Sequence, residues 1–414
     1  MLVCQLYCHP KFAGAAVQLP HQRGDWSAAF LPLATIMLSP AIEHVRWISD
    51  WSRQDHGIRQ RPAGPRKINS VGIIGAGMMG TAIAAAHVQY RLPVLIHDAN
   101  EEVLGRAVAS VAAELREAHG HLTPKSLGHL VRPTADLAEV AHCDLVLESI
   151  AETVPAKLQL YAQLRRHLAE HTIVASNTST IPIQRLARGL ADASRFCGMH
   201  FCHPVRQRPL VEIVCGPQTN DLTIAAAVAH ARRMDRMPIV VQDGPGFVVN
   251  RLLFPYLGEA LELLREGTPV ESIERAATEF GMAIGPLRLM DEIGLDVVFQ
   301  SGWVLAEAFP ERIVASPVLV SMIKAGRLGR KTGAGFFTYG GPTSGVAQSA
   351  ADTAVAELIA PWIEEEKRDR SNLPERPEGC FAQIGPVPFF PGTARRVLRT
   401  NWTRALFSRR SDPC

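Results

Sequence analysis

A histidine and a glutamate, His200 and Glu212, each lie inside a short apolar run. Pro204 and Pro209, with polar residues between them, separate the two runs, and this pattern predicts two strands joined by a turn. A histidine and a carboxylate on adjacent strands can touch. Because imidazole titrates near neutral pH and a carboxylate partner fixes its tautomer and raises its basicity, the pair predicts a catalytic base. A satisfied pair in the protein core is the structural alternative.

Three glycines, Gly75, Gly77 and Gly80, form the pattern G-x-G-x-x-G between a predicted strand at Val71 to Ile74 and an Ala-rich helix. In this setting the first glycine permits a tight turn, the second lets the backbone reach a pyrophosphate, and the third lets helix and strand pack closely. Asp98 ends the next predicted strand, where a carboxylate binds ribose hydroxyls and repels a 2′-phosphate. The sequence therefore predicts NAD rather than NADP, with a structural glycine turn as the alternative.

Two further polar residues, Ser179 and Asn250, are candidate donors to substrate oxygens. Ser179 follows a predicted strand in a segment rich in hydroxyls, and the alternative is that it caps a helix beginning at Pro182. Asn250 lies just inside a helix that starts after Pro245 and Gly246, where asparagine is unfavourable. An ordinary capping or surface amide is the alternative for this residue.

The elements that position these residues fall into four predicted parts. Residues 1–66 show irregular periodicity and a linker-like end, so we expect a poorly ordered extension. Strands alternate with helices across residues 67–243, which predicts an α/β, Rossmann-type doubly wound sheet with the motifs at its ligand-binding edge. Helical spacing across residues 244–340 predicts an all-helical C-terminal domain. Residues 341–414 hold one predicted helix, at Ala350 to Glu366, and an irregular, basic and Pro-rich tail.

The composition excludes several classes of protein. A chain of 414 residues has room for two or three domains, and 47% hydrophobic with 20% charged residues is typical of a globular protein. A net charge of +3 without a long basic block argues against nucleic acid as a partner. The eight cysteines include no C-x-x-C and no Cys/His cluster with zinc spacing, so no metal site is predicted.

The sequence also bears on location. The longest apolar run near the start, Ala28 to Ile42, is too short to span a bilayer and is broken by two prolines. We therefore expect no membrane partner. Free thiols and the lack of a secretory signal favour the cytoplasm.

The order of Ser179, His200, Glu212 and Asn250 after a Rossmann fingerprint resembles the L-3-hydroxyacyl-CoA dehydrogenases. The surrounding motifs are similar to those of that family over about Ile68 to Tyr339, in unbroken order: SNTST, GMHFCHP, PGFVVNRLLFPYLGEA, IGPLRLMDEIGLDV and GRLGRKTGAGFF. These motifs look closest to those in the dehydrogenase part of bacterial multifunctional fatty-acid oxidation proteins. In those proteins a second helical repeat follows. The segment from Ala350 resembles its start until about Lys367, as a truncation or frameshift would leave it.

The resemblance implies a role for each residue. His200 removes the hydroxyl proton as hydride leaves C3 for the nicotinamide, Glu212 stabilises the imidazolium, and Ser179 and Asn250 hold substrate oxygens. The implied cofactor-binding residues are Gly75, Gly77, Met78, Met79, Gly80, Asp98, Glu152, Lys157, Ser179 and His203. For Glu152 and Lys157 the alternative is a solvated pair at a helix start. His203 stands where the family usually has an asparagine that contacts the cofactor, so we expect altered but retained binding.

The implied function is NAD-dependent oxidation of L-3-hydroxyacyl-CoA to 3-oxoacyl-CoA in fatty-acid β-oxidation. One alternative is a dehydrogenase of 3-hydroxybutyryl-CoA or of a smaller hydroxy acid such as L-gulonate. Another is a non-catalytic NAD-binding protein, like the lens crystallins that share the fold. The resemblance also implies a homodimer through the helical domain, unless the residual second repeat covers that surface.

Overall fold

The computed structural model describes residues 66–116, 127–280, 282–310, 313, 316–340, 355, 357–361 and 363–364. The extension predicted at residues 1–66 lies outside these residues except for its last one, and the tail predicted after Lys367 lies outside them entirely. The chain divides into two compact units, and one boundary between them lies between Asn250 and Arg251. Among the described helices, none is both long enough and apolar enough to cross a bilayer.

The unit that ends at Asn250 contains an eight-stranded sheet in the order β3-β2-β1-β4-β5-β6-β7-β8. Neighbouring strands are parallel except β6 and β7, which are antiparallel. The strands are β1 (Val71–Ile74), β2 (Val94–His97), β3 (Val131–Pro133), β4 (Leu145–Glu148), β5 (Ile173–Ser176), β6 (Phe196–Phe201), β7 (Leu210–Cys215) and β8 (Met237–Gln242). The order reverses beside β1, as in a doubly wound sheet, and the predicted fold class is confirmed.

The central strands are buried along their whole length. Every residue of β1, β4 and β5 is buried, which is the pattern of parallel strands covered by helices on both faces. The covering helices are α1 (Met78–Gln89), α2 (Glu101–Arg116), α3 (Leu137–Ala141), α4 (Val154–Leu164), α5 (Ile183–Ala187) and α6 (Asp221–Arg233). In α2, Leu104, Ala107 and Val111 recur at helical spacing and are buried, so one apolar stripe faces the sheet.

Helix α4 is shorter than the sequence predicts. The sequence predicts a helix from Pro155 to Leu168, whereas α4 begins at Val154 and ends at Leu164. Beyond it, the amides of Arg166 and His167 bond carbonyls three residues earlier, as in a tightened final turn. The sequence patterns do not predict strands β3 and β8, and they do not predict α6, the helix between β7 and β8.

The unit that begins at Arg251 is helical. It holds most of α7 (Val249–Arg265), together with α8 (Val270–Phe280), α9 (Pro286–Ile293), α10 (Leu295–Ala308) and α11 (Pro317–Lys324). Buried Asp291 accepts hydrogen bonds from the amides of Phe336 and Phe337, each at 2.9 Å, and so fixes the segment after α11. Residues 355, 357–361, 363 and 364 are helical and fall within the helix predicted at Ala350 to Glu366.

Candidate active site

His200 and Glu212 lie directly opposite each other on β6 and β7. The His200 Nδ1 and Glu212 Oε2 atoms are 2.7 Å apart, and both side chains are buried. Opposite residues on antiparallel strands project to the same face of a sheet, which is why this register brings the two side chains together. The two predicted strands and their pairing are thus present.

The second carboxylate oxygen of Glu212 is held at the start of α7. Glu212 Oε1 accepts hydrogen bonds from the amides of Val248 at 2.8 Å and Val249 at 3.0 Å. Unpaired amides and the positive end of the helix dipole both favour a carboxylate at this position. With Glu212 fixed as an acceptor, a neutral His200 donates Nδ1–H to it and presents the lone pair of Nε2. The geometry therefore supplies an imidazole oriented to accept a proton.

Ser179 and Asn250 are hydrogen-bonded to each other. The Asn250 Nδ2 group donates to the backbone carbonyl of Ser179 at 2.9 Å, and Asn250 is the second residue of α7. Helix α5 begins at Ile183 after Pro182, and the Asp243 carboxylate accepts the amides of Ile183 and Gln184, so Ser179 does not cap this helix. The structure thus joins two residues that lie far apart in the sequence.

The glycine loop fits the close approach of a dinucleotide. Gly75 has a φ of +103°, and a Cβ there would collide with the Ser149 carbonyl. A Cβ on Gly80 would collide with the Gly75 carbonyl, whereas a Cβ on Gly77 would have no atom within 4 Å. Gly75 and Gly80 therefore serve the turn and its packing, and Gly77 leaves open space before the N-terminus of α1.

Asp98 ties the glycine loop to the end of β2. Its Oδ2 accepts the Ala76 amide at 2.8 Å and its Oδ1 accepts the Asn100 amide at 2.9 Å. Next to Gly77, Met78 is exposed and Met79 is half-buried. The sequence patterns predict a ribose-binding role for Asp98 and miss this loop-fixing one.

Lys157 belongs to a buried network, and half-buried Glu152 lies at the border of that network. The Lys157 side chain is 1% exposed, which excludes a solvated pair, and its Nζ lies 2.6 Å from Glu148 Oε1 and 3.4 Å from Glu152 Oε2. The Tyr161 hydroxyl donates to Glu148 Oε2 at 2.7 Å, and burial raises the pKa of Tyr161, so it stays a donor. Glu148 and Tyr161 are absent from the sequence-based prediction.

The candidate residues of this unit gather at one edge of the sheet. The glycine loop follows β1, Asp98 follows β2, Glu152 follows β4, Ser179 follows β5 and exposed His203 follows β6. The carboxyl ends of parallel strands meet at one edge, where doubly wound sheets bind ligands. The Asn177 side chain, also missed from the sequence, accepts the Phe201 amide at 2.9 Å and links the β5 loop to the end of β6.

Comparison with known proteins identifies relatives over the same residues. A family model described as 3-hydroxyacyl-CoA dehydrogenase, NAD binding domain, matches residues 70–244, and one described as 3-hydroxyacyl-CoA dehydrogenase, C-terminal domain, matches residues 246–339. The fatty acid oxidation complex subunit alpha of Pseudomonas savastanoi pv. phaseolicola is 37% identical over 309 residues, which are 73% of this chain and 43% of that protein. The corresponding subunit of Acinetobacter baumannii (strain SDF) is 35% identical over 321 residues, 76% of this chain and 45% of that protein. The chain thus spans less than half the length of these curated relatives.

Solved structures similar to this chain include 3-hydroxyacyl-CoA dehydrogenase relatives. FadB2 of M. tuberculosis has a TM-score of 0.64 and 32% identity, with 66% of this chain and 100% of that chain covered. (S)-3-hydroxybutyryl-CoA dehydrogenase PaaH1 of Ralstonia eutropha has a TM-score of 0.62 and 36% identity, with the same coverage. The family models and these structures confirm the resemblance carried by the motifs. The chain belongs to the 3-hydroxyacyl-CoA dehydrogenase family.

Proposed function

We propose that this chain oxidises L-3-hydroxyacyl-CoA to 3-oxoacyl-CoA with NAD as the hydride acceptor, as a step of fatty-acid β-oxidation. The observation that carries the proposal is the buried His200–Glu212 pair at 2.7 Å, in a chain of this family. The imidazole Nε2 takes the proton of the substrate hydroxyl. Glu212, held by two backbone amides, stabilises the imidazolium that forms.

Ser179 and Asn250 are proposed to hold the substrate oxygens. The Asn250 amide nitrogen carries two hydrogens, and the Ser179 carbonyl accepts only one of them. The second hydrogen and the Ser179 hydroxyl are the donors proposed for the substrate. Their contribution is to orient the reacting carbon, which is positioning catalysis.

The cofactor is proposed to bind along the carboxyl edge of the sheet. Bound NAD supplies the hydride acceptor; the protein supplies the open space at Gly77 and the carboxylate of Asp98, which disfavours a 2′-phosphate. The proposed contacts are Gly75, Gly77, Met78, Met79, Gly80, Asp98, Glu152, Ser179 and His203. Lys157 is proposed to act on the cofactor site through its contact with the Glu152 side chain, because its own ammonium group is buried.

The decisive experiment follows NAD reduction by the full chain with 3-hydroxyacyl-CoA substrates of increasing length, from 3-hydroxybutyryl-CoA to 3-hydroxyhexadecanoyl-CoA. Turnover that rises with chain length supports the β-oxidation proposal. A preference for 3-hydroxybutyryl-CoA favours the short-chain alternative, which the similarity to the Ralstonia eutropha enzyme supports. NAD binding without turnover of any substrate contradicts both and favours a non-catalytic protein.

A homodimer through the helical domain is a further part of the proposal. Val297 and Trp303 on α10 and Phe280 at the end of α8 are exposed large apolar side chains in that domain. Contiguous exposed apolar patches are typical of protein–protein contacts, and the proposal places these three side chains in one interface. Light scattering of the full chain is expected to give twice the monomer mass, and Trp303→Asp to give the monomer mass. Leu222→Asp, at an exposed apolar residue of α6, is the matched control. A monomeric wild-type chain contradicts the dimer and favours coverage of that surface by the residual repeat.

Domain limits and location complete the proposal. We infer that residues 67–243 form the NAD-binding domain and residues 244–340 the helical domain, and the division of the family models near residue 245 supports this. The predicted cytoplasmic location is supported by the free thiols of Cys143, Cys197 and Cys202, which are buried in the described part of the chain.

A further inference from the structure

Asn177, directly after β5, is a buried residue whose backbone and side chain are both held. Its backbone amide donates to the Glu148 carbonyl at 2.8 Å. Its side-chain Oδ1 accepts the Phe201 amide at 2.9 Å, and its Nδ2 donates to Ser149 Oγ at 3.4 Å. Because only the oxygen of the side-chain amide can accept an N–H, the contact with Phe201 fixes which way this amide points.

The Phe201 amide belongs to the peptide bond that follows His200. Strand β5 ends at Ser176, which pairs with Gly198, so β6 continues for three residues beyond its parallel neighbour. Past Gly198 the Asn177 side chain supplies the acceptor that a longer β5 would have given. A buried amide requires an acceptor, so this contact holds the backbone on the C-terminal side of His200.

The loop that carries Asn177 also carries Ser179, two residues later. The Ser179 amide donates to Glu152 Oε1 at 2.7 Å, and the Ser179 carbonyl accepts from Asn250 Nδ2 at 2.9 Å. The loop is thus fixed at Asn177 and again at Ser179. Through Asn177 it forms a short link between Ser179 and the backbone of His200.

Ser149 extends this link toward the glycine loop. The Ser149 amide donates to the Ile74 carbonyl at 2.8 Å, and the Ser149 carbonyl lies where a Cβ on Gly75 would collide with it. The Asn177 side chain therefore lies between Ser149, which packs against the glycine loop, and Phe201, which follows the proposed base. One buried amide connects the ends of β4, β5 and β6.

We infer that Asn177 is a positioning residue that holds His200 in a fixed place relative to Ser179 and the glycine loop. The inference rests on the proposed function, in which His200 takes the hydroxyl proton and Ser179 holds a substrate oxygen. Hydride leaves C3 for the nicotinamide only when that proton faces the imidazole, so base, substrate loop and cofactor loop must share one geometry. Asn177 acts on the rate through the backbone of His200.

The first turnover of the full chain tests this inference. NADH formation is followed by stopped-flow absorbance, with enzyme and NAD at saturating concentrations over 3-hydroxybutyryl-CoA. The rate then reports hydride transfer whatever the affinity for the cofactor. Asn177→Leu, which has similar volume and no acceptor, is expected to lower this rate about tenfold or more, since a small misplacement can cost about 10²-fold.

Asn177→Asp is the conservative variant, because a carboxyl oxygen can still accept the Phe201 amide. Each variant is measured across pH and compared at its own optimum, so that the added charge does not enter the comparison. Asn177→Asp is expected to keep the rate within about threefold of wild type. This recovery is the result that a merely space-filling role for Asn177 would not give.

Thr172→Val is the matched control for stability. Thr172 is buried just before β5 and donates to the carbonyls of Ala141 and Cys143. The variant is expected to lower Tm and leave the rate unchanged. If Asn177→Leu does not fold, Asn177→Ala replaces it, because the smaller side chain leaves room for a water at the Phe201 amide. The same loss of rate is expected, since that water is not tied to the β5 loop.

A rate within about threefold of wild type in Asn177→Leu or Asn177→Ala overturns the inference. Equal losses in Asn177→Asp and Asn177→Leu overturn it too, as does a loss of the same size in Thr172→Val. These outcomes require an active wild-type chain. A wild-type chain without turnover overturns the proposed function instead, and the inference with it.

Discussion

Replacing Glu212 by glutamine tests how the proposed base, His200, is prepared to accept a proton. Glu212 offers two acceptor oxygens, one to His200 Nδ1 and one to the amides of Val248 and Val249. A glutamine has one acceptor oxygen and one NH₂ donor. Because two backbone donors compete with one imidazole, we expect the amide oxygen to face the backbone. The NH₂ group then donates to Nδ1, which places the imidazole hydrogen on Nε2.

The expected loss of kcat has two parts. The tautomer with hydrogen on Nε2 cannot accept the substrate proton, and the charge that stabilises the imidazolium is gone. General base catalysis contributes about 10²- to 10⁴-fold, so Glu212→Gln is expected to lower kcat by about that factor, or about 3–5 kcal/mol of activation free energy. The Kd for NADH and the Tm are expected to change little, because the substitution keeps the shape of the side chain.

The assay is steady-state NAD reduction with 3-hydroxybutyryl-CoA, with NADH binding measured separately by fluorescence. Glu170→Gln, at an exposed carboxylate, is the matched control and is expected to retain full activity. A kcat of Glu212→Gln within about threefold of wild type refutes the reasoning. In that case the tautomer of His200 does not depend on Glu212, and the buried pair is structural.

Three further predictions concern the cofactor and the core. Gly77→Ala is expected to fold normally, since its Cβ enters open space, but to raise the Kd for NADH at least about tenfold. Gly75→Ala is expected to lower Tm, because Gly75 has a φ of +103° that alanine rarely adopts. Asp98→Asn is expected to raise the kcat/KM ratio of NADP over NAD, because it removes the charge that repels a 2′-phosphate; an unchanged ratio contradicts this. His87 and His230 are buried side by side, with their Nε2 atoms 3.0 Å apart. Burial lowers the pKa of His87 to about 4, whereas a histidine in the unfolded chain has a pKa of about 6.5. The free energy of unfolding is therefore expected to be highest above about pH 6.5 and to fall between about pH 6.5 and 4, as urea titrations at stepped pH will measure, and His87→Leu with His230→Leu should flatten that slope.

The parts of the site that the sequence predicts are those in which one short segment carries both the chemistry and its setting. His200 and Glu212 each sit in an apolar run beside a proline, so period and turn signals predict both strands. The antiparallel pairing of β6 and β7 then makes them opposite residues. The glycine loop is predictable for the same reason, because strand, glycines and helix are contiguous.

Strands β3 and β8, which the sequence patterns do not predict, give weak local signals. Strand β3 has three residues, two of them exposed and one of them Pro133. Strand β8 contains Pro238 and has exposed residues at both ends, so neither alternation nor a continuous apolar run marks it. Both strands are fixed by pairing with a neighbour already in the sheet.

The buried network is missed for a different reason. Lys157 and Tyr161 are four residues apart on α4, a spacing that puts them on one helix face, and polar residues on a helix usually mark the solvated side. Here that face is buried because Glu148 ends β4 and supplies the acceptor. The acceptor and its donors belong to different elements, so only the packing of α4 against the sheet reveals that they form one network.

The central claim is that His200 is the proton acceptor of an NAD-dependent dehydrogenase. The most direct measurement is the turnover of 3-hydroxybutyryl-CoA by wild type and His200→Gln, with NADH affinity measured for both. We predict an active wild type, a loss of kcat of about 10²- to 10⁴-fold in His200→Gln, and a Kd for NADH that is unchanged within about twofold. A His200→Gln variant that turns over near the wild-type rate would contradict it.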